Sequence, residues 1–238
     1  MLPASLEAIQ SRLSDDDVVL DIGAWAKPLT RADWVVDLMP YESRGLLGAE
    51  GAGPERFSAE TWLVRDICAR EPLPFDDDEV DFAICSHTLE DVRDPIWVCS
   101  ELGRVAKAGY VEVPSRLEEQ CYGINGPWVG WSHHRWLVDL VDDVLEFVAK
   151  PGMLEGRTDL QFPSWVREVL DPEDRVVTHF WEGQLACRER IFFEPEELDD
   201  YLARPVRERR AGLEAKRPTR SLFDRGAGFL RRARRLLR

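Results

Sequence analysis

Short apolar runs that stop at an acid recur through the first third of the chain. Val18, Val19 and Leu20 stop at Asp21, and Val35 and Val36 stop at Asp37. Trp62, Leu63 and Val64 stop, one residue later, at Asp66. Rich in β-branched and aromatic residues and too short for helices, these runs predict strands over 17–21, 33–37 and 61–66. Residues 80–86, VDFAICS, are almost all apolar, the pattern of a parallel strand buried on both faces. A further strand is predicted over 108–115, opened by a glycine turn and closed by a proline.

Helical spacing appears twice before residue 115. Leu6, Ile9 and Leu13 share one face of a helix over 3–14. Trp97, Val98, Leu102 and Val105 do the same over 94–106, where Asp94 is the N-cap and Pro95 the first helical residue. Residues 42–60 and 72–79 read as irregular. Strands alternating with helices imply an α/β fold, a Rossmann-like, mostly parallel sheet with flanking helices.

After Ser115 the pattern changes. Residues 122–136, YGINGPWVGWSHHRW, form an aromatic, glycine-rich loop. Residues 136–150 alternate around Asp142 and Asp143 as an antiparallel hairpin would, and 176–193 suggest a second hairpin turning at Glu182–Gly183. A helix holding Glu196, Glu197 and Leu198 follows. The expected organisation is a main domain over 1–150, a small extension over 151–203 packing on it, and a basic, amphipathic or disordered tail over 204–238.

Composition narrows the function classes. The 238 residues are 44% hydrophobic and 32% charged, ordinary for a soluble globular protein. No run reaches the roughly 20 apolar residues of a membrane span. The first residues lack the basic and apolar regions of a secretory signal, so a cytoplasmic location is expected. Five scattered cysteines with no CxxC pair indicate reduced thiols rather than a disulfide framework or zinc knuckle. The net charge of −14 conceals a basic end: residues 204–238 hold 13 Lys/Arg and 3 Asp/Glu. An acidic body does not suit nucleic acid. The tail suits a peripheral contact with anionic lipid at the inner membrane face, or a disordered solubilising segment.

The acids at the strand ends carry the chemistry. In an open α/β sheet the carboxyl ends of the strands line one crevice. There Asp37 can accept both hydroxyls of a ribose, Asp66 can accept an adenine amine, and Asp21 can face a cationic group. The loop DIGAWAKP lacks the second and third glycines of a dinucleotide fingerprint, which favours a nucleoside without pyrophosphate over NAD.

VLDIGAWAKP, PLPFDDDEVDFAICSHTLEDVRDP and ELGRVAKAGYVEVPS resemble segments of the class I S-adenosylmethionine-dependent methyltransferases, in particular the methyltransferase type 11 group. The resemblance covers about residues 17–150. It implies S-adenosylmethionine as cofactor, with Asp21, Gly23, Ala24 and Trp25 at its methionine end. Asp37 would take the ribose, Asp66 and Ile67 the adenine, and Ser86 with His87 the floor beneath the sulfonium. The sequence departs from the family at Trp25 and Ala26, where small residues are common; Trp25 is expected to reshape the pocket rather than fill it.

The implied activity is methyl transfer to an oxygen or nitrogen of a small-molecule or glycan-type acceptor. The alternative is a catalytically silent protein of the same fold that binds a partner through the aromatic loop and the tail. Histidine is the natural general base near neutral pH, and His87 and His134 are the candidates. For the pair His133 and His134 a packing or gating role stands beside catalysis, and Trp128, Trp131 and Trp136 either pack the loop onto the sheet or stack on a sugar ring or base. No metal is expected, since Cys85-x-His87 is not a characteristic ligand pair.

Overall fold

The computed structural model describes residues 1–218. Residues 219–238, most of the expected tail, lie outside the described residues. The main sheet takes its first three strands in order: β1 (Val19–Ile22), β2 (Trp34–Asp37) and β3 (Trp62–Val64). β4 (Val80–Ser86) leads into helix α2 (Pro95–Val105), which returns the chain to β5 (Ala106–Pro114). An earlier helix, α1 (Pro3–Arg12), precedes them all. β8 (Val176–Glu182), from the later part of the chain, completes the spatial order β3-β2-β1-β4-β5-β8. All neighbours are parallel except β8, which runs antiparallel to β5. The fold is Rossmann-like.

Side-chain alternation sorts the sheet's two faces. Val19, Val35, Phe82, Ile84 and Tyr110 pack on one face with Ile9 of α1. Leu20, Ile22, Val36, Ala83 and Val111 pack on the other with Val98, Leu102 and Val105 of α2. Both faces are buried, as the unbroken apolar run of β4 requires. Asp94 caps α2 as its sequence indicates, its side chain accepting from Trp97 N.

Helical cover is sparser than the sequence suggests. The chain passes from β1 to β2 through turns alone, and Leu29, Ala32, Phe57 and Trp62 close that face instead of a crossover helix. Gly109 is not a turn residue but lies inside β5. A Cβ there would sit 2.4 Å from Ala83 O and 2.6 Å from the Trp181 ring, so glycine lets the indole of β8 lie flat on the strand.

After a single-turn helix α3 (Arg116–Glu119), the chain builds a second sheet from β6 (Trp136–Val141) and β7 (Val144–Ala149). These form the expected hairpin, and Asp142 and Asp143 take the positive φ of its tight turn, 50° and 62°. The second expected hairpin is absent. A short helix α4 (Val166–Val169) precedes β8, and β9 (Cys187–Glu189) then pairs with β7 in parallel, not with β8. β8 was drawn to β5, where Tyr110 stacks on Phe180 at 4.7 Å. Both sheets thus take strands from either side of residue 150. Helix α5 (Pro195–Ala215) runs through the boundary expected at 203–204.

Candidate active site

The carboxyl ends of β1, β2, β3 and β4 open onto a cavity of about 590 Å³, within the usual range for small-molecule sites of about 300–1,000 Å³. Its walls include Gly23, Trp25, Asp37, Asp66 and Ile67. A second cavity of about 420 Å³ lies beside it, over β5 and the aromatic loop, and includes Glu90, Glu112, Glu118, Trp131 and His134. His87, Asp91 and His133 line both, so the two spaces meet there.

Asp37 is buried, and burial raises its pKa against the opposing hydrogen bonds from Met39 N and Trp25 N. Its two oxygens accept those N–H groups, each at 2.8 Å. A carboxylate has about four acceptor sites, so Asp37 keeps acceptor capacity for a diol. Leu38, 66% exposed, stands next to it on the cavity wall. With Ile67 and Val92 it makes an apolar slot for a flat base. Asp66 accepts Cys68 N at 2.9 Å and pairs with Arg93 at 2.9 Å; the Cys68 N–H and then Arg93 hold its pKa down.

Other sequence candidates fall elsewhere. Asp21 lies under the β1–β2 turn, 4% exposed, accepting Leu29 N at 2.9 Å, and does not line the cavity. Burial raises its pKa to about 7. Ala24 packs into the core beneath the loop, and Ser86 is absent from the cavity wall. Gly23 has φ of +72°, and a Cβ there would meet Thr88 Oγ1 at 2.1 Å. It allows the first loop to close against the loop after β4. Trp25 turns its indole toward Ser43, donating from Nε1 to Ser43 O at 2.8 Å and Oγ at 3.0 Å. Held there, it walls the cavity without filling it.

His87 has a left-handed φ of 53°, a strained conformation for a non-glycine residue. Its Nε2 lies 3.1 Å from Glu112 Oε1 and its Nδ1 3.5 Å from Glu90 Oε1. Burial opposes its charge, but the Glu112 hydrogen bond and the Glu90 carboxylate outweigh it and raise the pKa to about 9. At neutral pH the ring is therefore an imidazolium, able to donate a proton but not to accept one. Glu112 is also buried; burial works against its charge, yet His87, Tyr110 Oη at 2.6 Å and Leu2 N at 3.0 Å pull its pKa to about 2. The Met1 amino group lies 3.4 Å from the same carboxylate.

His134 has the opposite arrangement. Its ring is 7% exposed, stacked on Trp131 at 5.8 Å, and Nδ1 lies 2.6 Å from Glu119 Oε1. Glu119 also receives Lys150 Nζ at 2.9 Å. In the tautomer that donates Nδ1–H to this carboxylate, Nε2 carries a lone pair aimed at the junction of the cavities, where it can ligate a cation. Glu90, Asp91, Thr88, Arg93 and Arg135 also belong to the site but were not read from the sequence. The signal for the first four was their place in the loop after β4, a loop that ends at a sheet edge where ligands bind.

A parallel sheet with an antiparallel outer strand and a cavity over its carboxyl edge is the arrangement of a Rossmann-like enzyme domain. The profile of the family described as "Methyltransferase domain" matches residues 46–111, from the loop after β2 into β5. In this segment the chain resembles the class I methyltransferases, as its motifs indicate. No curated protein matches the sequence. Solved structures to which part of the chain is similar include an S-adenosylmethionine-dependent methyltransferase of Mesorhizobium loti, 14% identical with a TM-score of 0.33, covering 48% of this chain and 56% of that one. Another, from Aquifex aeolicus, is 20% identical with a TM-score of 0.32, covering 51% and 69%. The YcgJ protein of Bacillus subtilis is 20% identical with a TM-score of 0.33, covering 47% and 51%. The chain spans about half the length of several of these structures.

Proposed function

We propose that the chain is an S-adenosylmethionine-dependent methyltransferase acting on a small-molecule or glycan-type acceptor. The observation that carries this reading is Asp37, a buried carboxylate at the end of β2 on the wall of the larger cavity. It suits a ribose diol, and the Leu38–Ile67 slot beside it suits the adenine. Arg135 lines the same cavity with no acidic partner among the described residues, and it would hold the methionine carboxylate. S-adenosylmethionine brings an already activated methyl group, so the protein's task is largely alignment. The smaller cavity, entered across His87, Asp91 and His133, would hold the acceptor.

Titration calorimetry with S-adenosylmethionine tests the cofactor half. Asp37→Ala should weaken binding by about 1.5–3 kcal/mol, the scale of hydrogen bonds to a charged group. Unchanged affinity would remove Asp37 from the site, and tight NADH binding would overturn the assignment. A mass-spectrometric search for a metabolite or glycan that gains a methyl group tests the transfer. Binding without any turnover would favour the silent alternative.

A further inference from the structure

We infer that Asp91, His133 and His134 form a binding site for a divalent transition-metal ion at the junction of the two cavities. Asp91 Oδ1 lies 3.7 Å from His134 Nε2 and 3.9 Å from His133 Nε2, and all three atoms lie within 4.8 Å of one another. These separations are too long for hydrogen bonds of about 2.7–3.2 Å, so no proton bridges them. They are close to what one ion requires. Bonds of about 2.0–2.2 Å in a tetrahedral shell put ligand atoms roughly 3.3 Å apart, and small side-chain rotations close the difference.

Two independent features support a cation there. First, Asp91 Oδ1 is buried without a hydrogen-bond partner. An unpartnered acceptor oxygen of a carboxylate is costly unless positive charge compensates it. Second, Glu119 fixes the His134 ring from behind. A carboxylate accepting Nδ1–H is the usual partner of a metal-bound histidine, because it sets the tautomer and directs the Nε2 lone pair at the ion. Without a cation, that lone pair faces the Asp91 carboxylate directly.

The donor set decides the class of ion. Two imidazoles and one carboxylate suit zinc, iron or cobalt better than magnesium or calcium. Three protein ligands leave coordination positions open, as in catalytic rather than structural sites. Those positions face both cavities, because Asp91 and His133 line both. Such an ion acts as a Lewis acid on an oxygen ligand. On the methyl-transfer reading, which this role but not the ion's binding depends on, the acceptor is then an oxygen nucleophile. His133 and His134, neighbours in the aromatic loop, are ligands through the loop's placement over the segment after β4, a placement not legible in the sequence, from which no metal is expected.

The test is a visible-absorption titration of the tag-free full chain with Co²⁺, without S-adenosylmethionine. Saturable binding of one ion, displaced by Zn²⁺ and not by Mg²⁺, is expected. Asp91→Ala, His133→Ala and His134→Ala should each weaken it at least tenfold, and Glu119→Gln about 10–100-fold. His133 is largely exposed, so its variant keeps the test informative even if a buried variant fails to fold. Cys187→Ala should leave the spectrum unchanged. Absence of Co²⁺ binding in the wild type, or binding that survives His133→Ala and Asp91→Ala, would overturn the inference. Since no cofactor is present, this outcome is separate from that of the methyl-transfer assay.

Discussion

His87 and Glu112 hold each other charged across 3.1 Å, and their pairing makes stability depend on pH. The folded-state pKa of His87 is raised from 6.5 to about 9. Its contribution is therefore complete below pH 6.5 and is lost as pH rises through about 9. Because the ring is nearly half exposed, solvent screening reduces the effect to about 1 kcal/mol. Denaturant unfolding should show that loss between pH 6.5 and 9 in the wild type, and His87→Gln should flatten it; parallel curves would refute the pairing. Asp21 has the same sign of pH dependence in a lower window, through burial rather than pairing. Burial raises its pKa from 3.8 to about 7, so folding loses stability as pH climbs across that interval. Asp21→Asn keeps an oxygen for Leu29 N–H and removes the charge, and should raise stability at pH 8 by about 1–3 kcal/mol. A lower melting temperature would show that the carboxylate has a favourable partner. Both residues were visible in the sequence as chemistry at strand ends, but their charge states were not. Those depend on Glu112 and Glu90 for His87, and on the closed β1–β2 turn for Asp21, contacts that only the tertiary fold creates.

At the scale of elements, local signals were legible and pairings were not. Asp94 and Pro95 start α2, and Asp142–Asp143 turn the β6–β7 hairpin, because each depends on a few adjacent residues. β8 and β9 have strand patterns and a turn at Gly183, yet each pairs elsewhere, since Tyr110, Phe180 and Trp181 decide the partner of β8. Another long-range feature is the docking of α5. Pro205 interrupts this helix, which frees the carbonyl of Tyr201 four residues earlier. Arg116 Nη2 donates to that carbonyl at 3.3 Å, and Gln120 Nε2 donates to Leu202 O at 2.9 Å and Leu160 O at 2.7 Å. Gln120 Oε1 in turn accepts from Arg116 at 2.6 and 2.9 Å. Gln120 is fully buried, so Gln120→Leu would take two hydrogen bonds from the buried Arg116 guanidinium, which keeps its Asp139 ion pair at 3.1 Å, and would leave two carbonyls without their donor. Thermal or denaturant unfolding should record a loss of about 2–4 kcal/mol; a change below about 0.5 kcal/mol would mean that α5 docks by apolar packing alone.

Over the whole molecule the charge is divided unevenly, and the structure shows which part of the basic end is already matched. In α5, Arg207 pairs with Asp200 of the same helix at 2.7 Å and Arg209 with Asp174 at 2.7 Å, and Lys216, which caps the helix, reaches Asp171 at 3.4 Å. These cations sit against the acidic body and add little outward positive field. The sequence of residues 219–238 holds seven arginines and one aspartate, interspersed with Phe223, Phe229 and several leucines. Basic residues near an anionic lipid surface contribute about 1 kcal/mol each, and the apolar side chains would add burial. The acidic body, repelled by the same surface, works against binding and makes it sensitive to salt. No helix among the described residues is long and apolar enough to cross a membrane. The full chain should co-sediment with phosphatidylglycerol-containing vesicles at low ionic strength, and not with phosphatidylcholine vesicles. A chain ending at Pro218 keeps all of α5 and its paired cations, and should stay in the supernatant. Equal sedimentation of the two chains would assign any lipid contact to the body, and sedimentation of neither would overturn the lipid contact in favour of a self-docked or disordered tail.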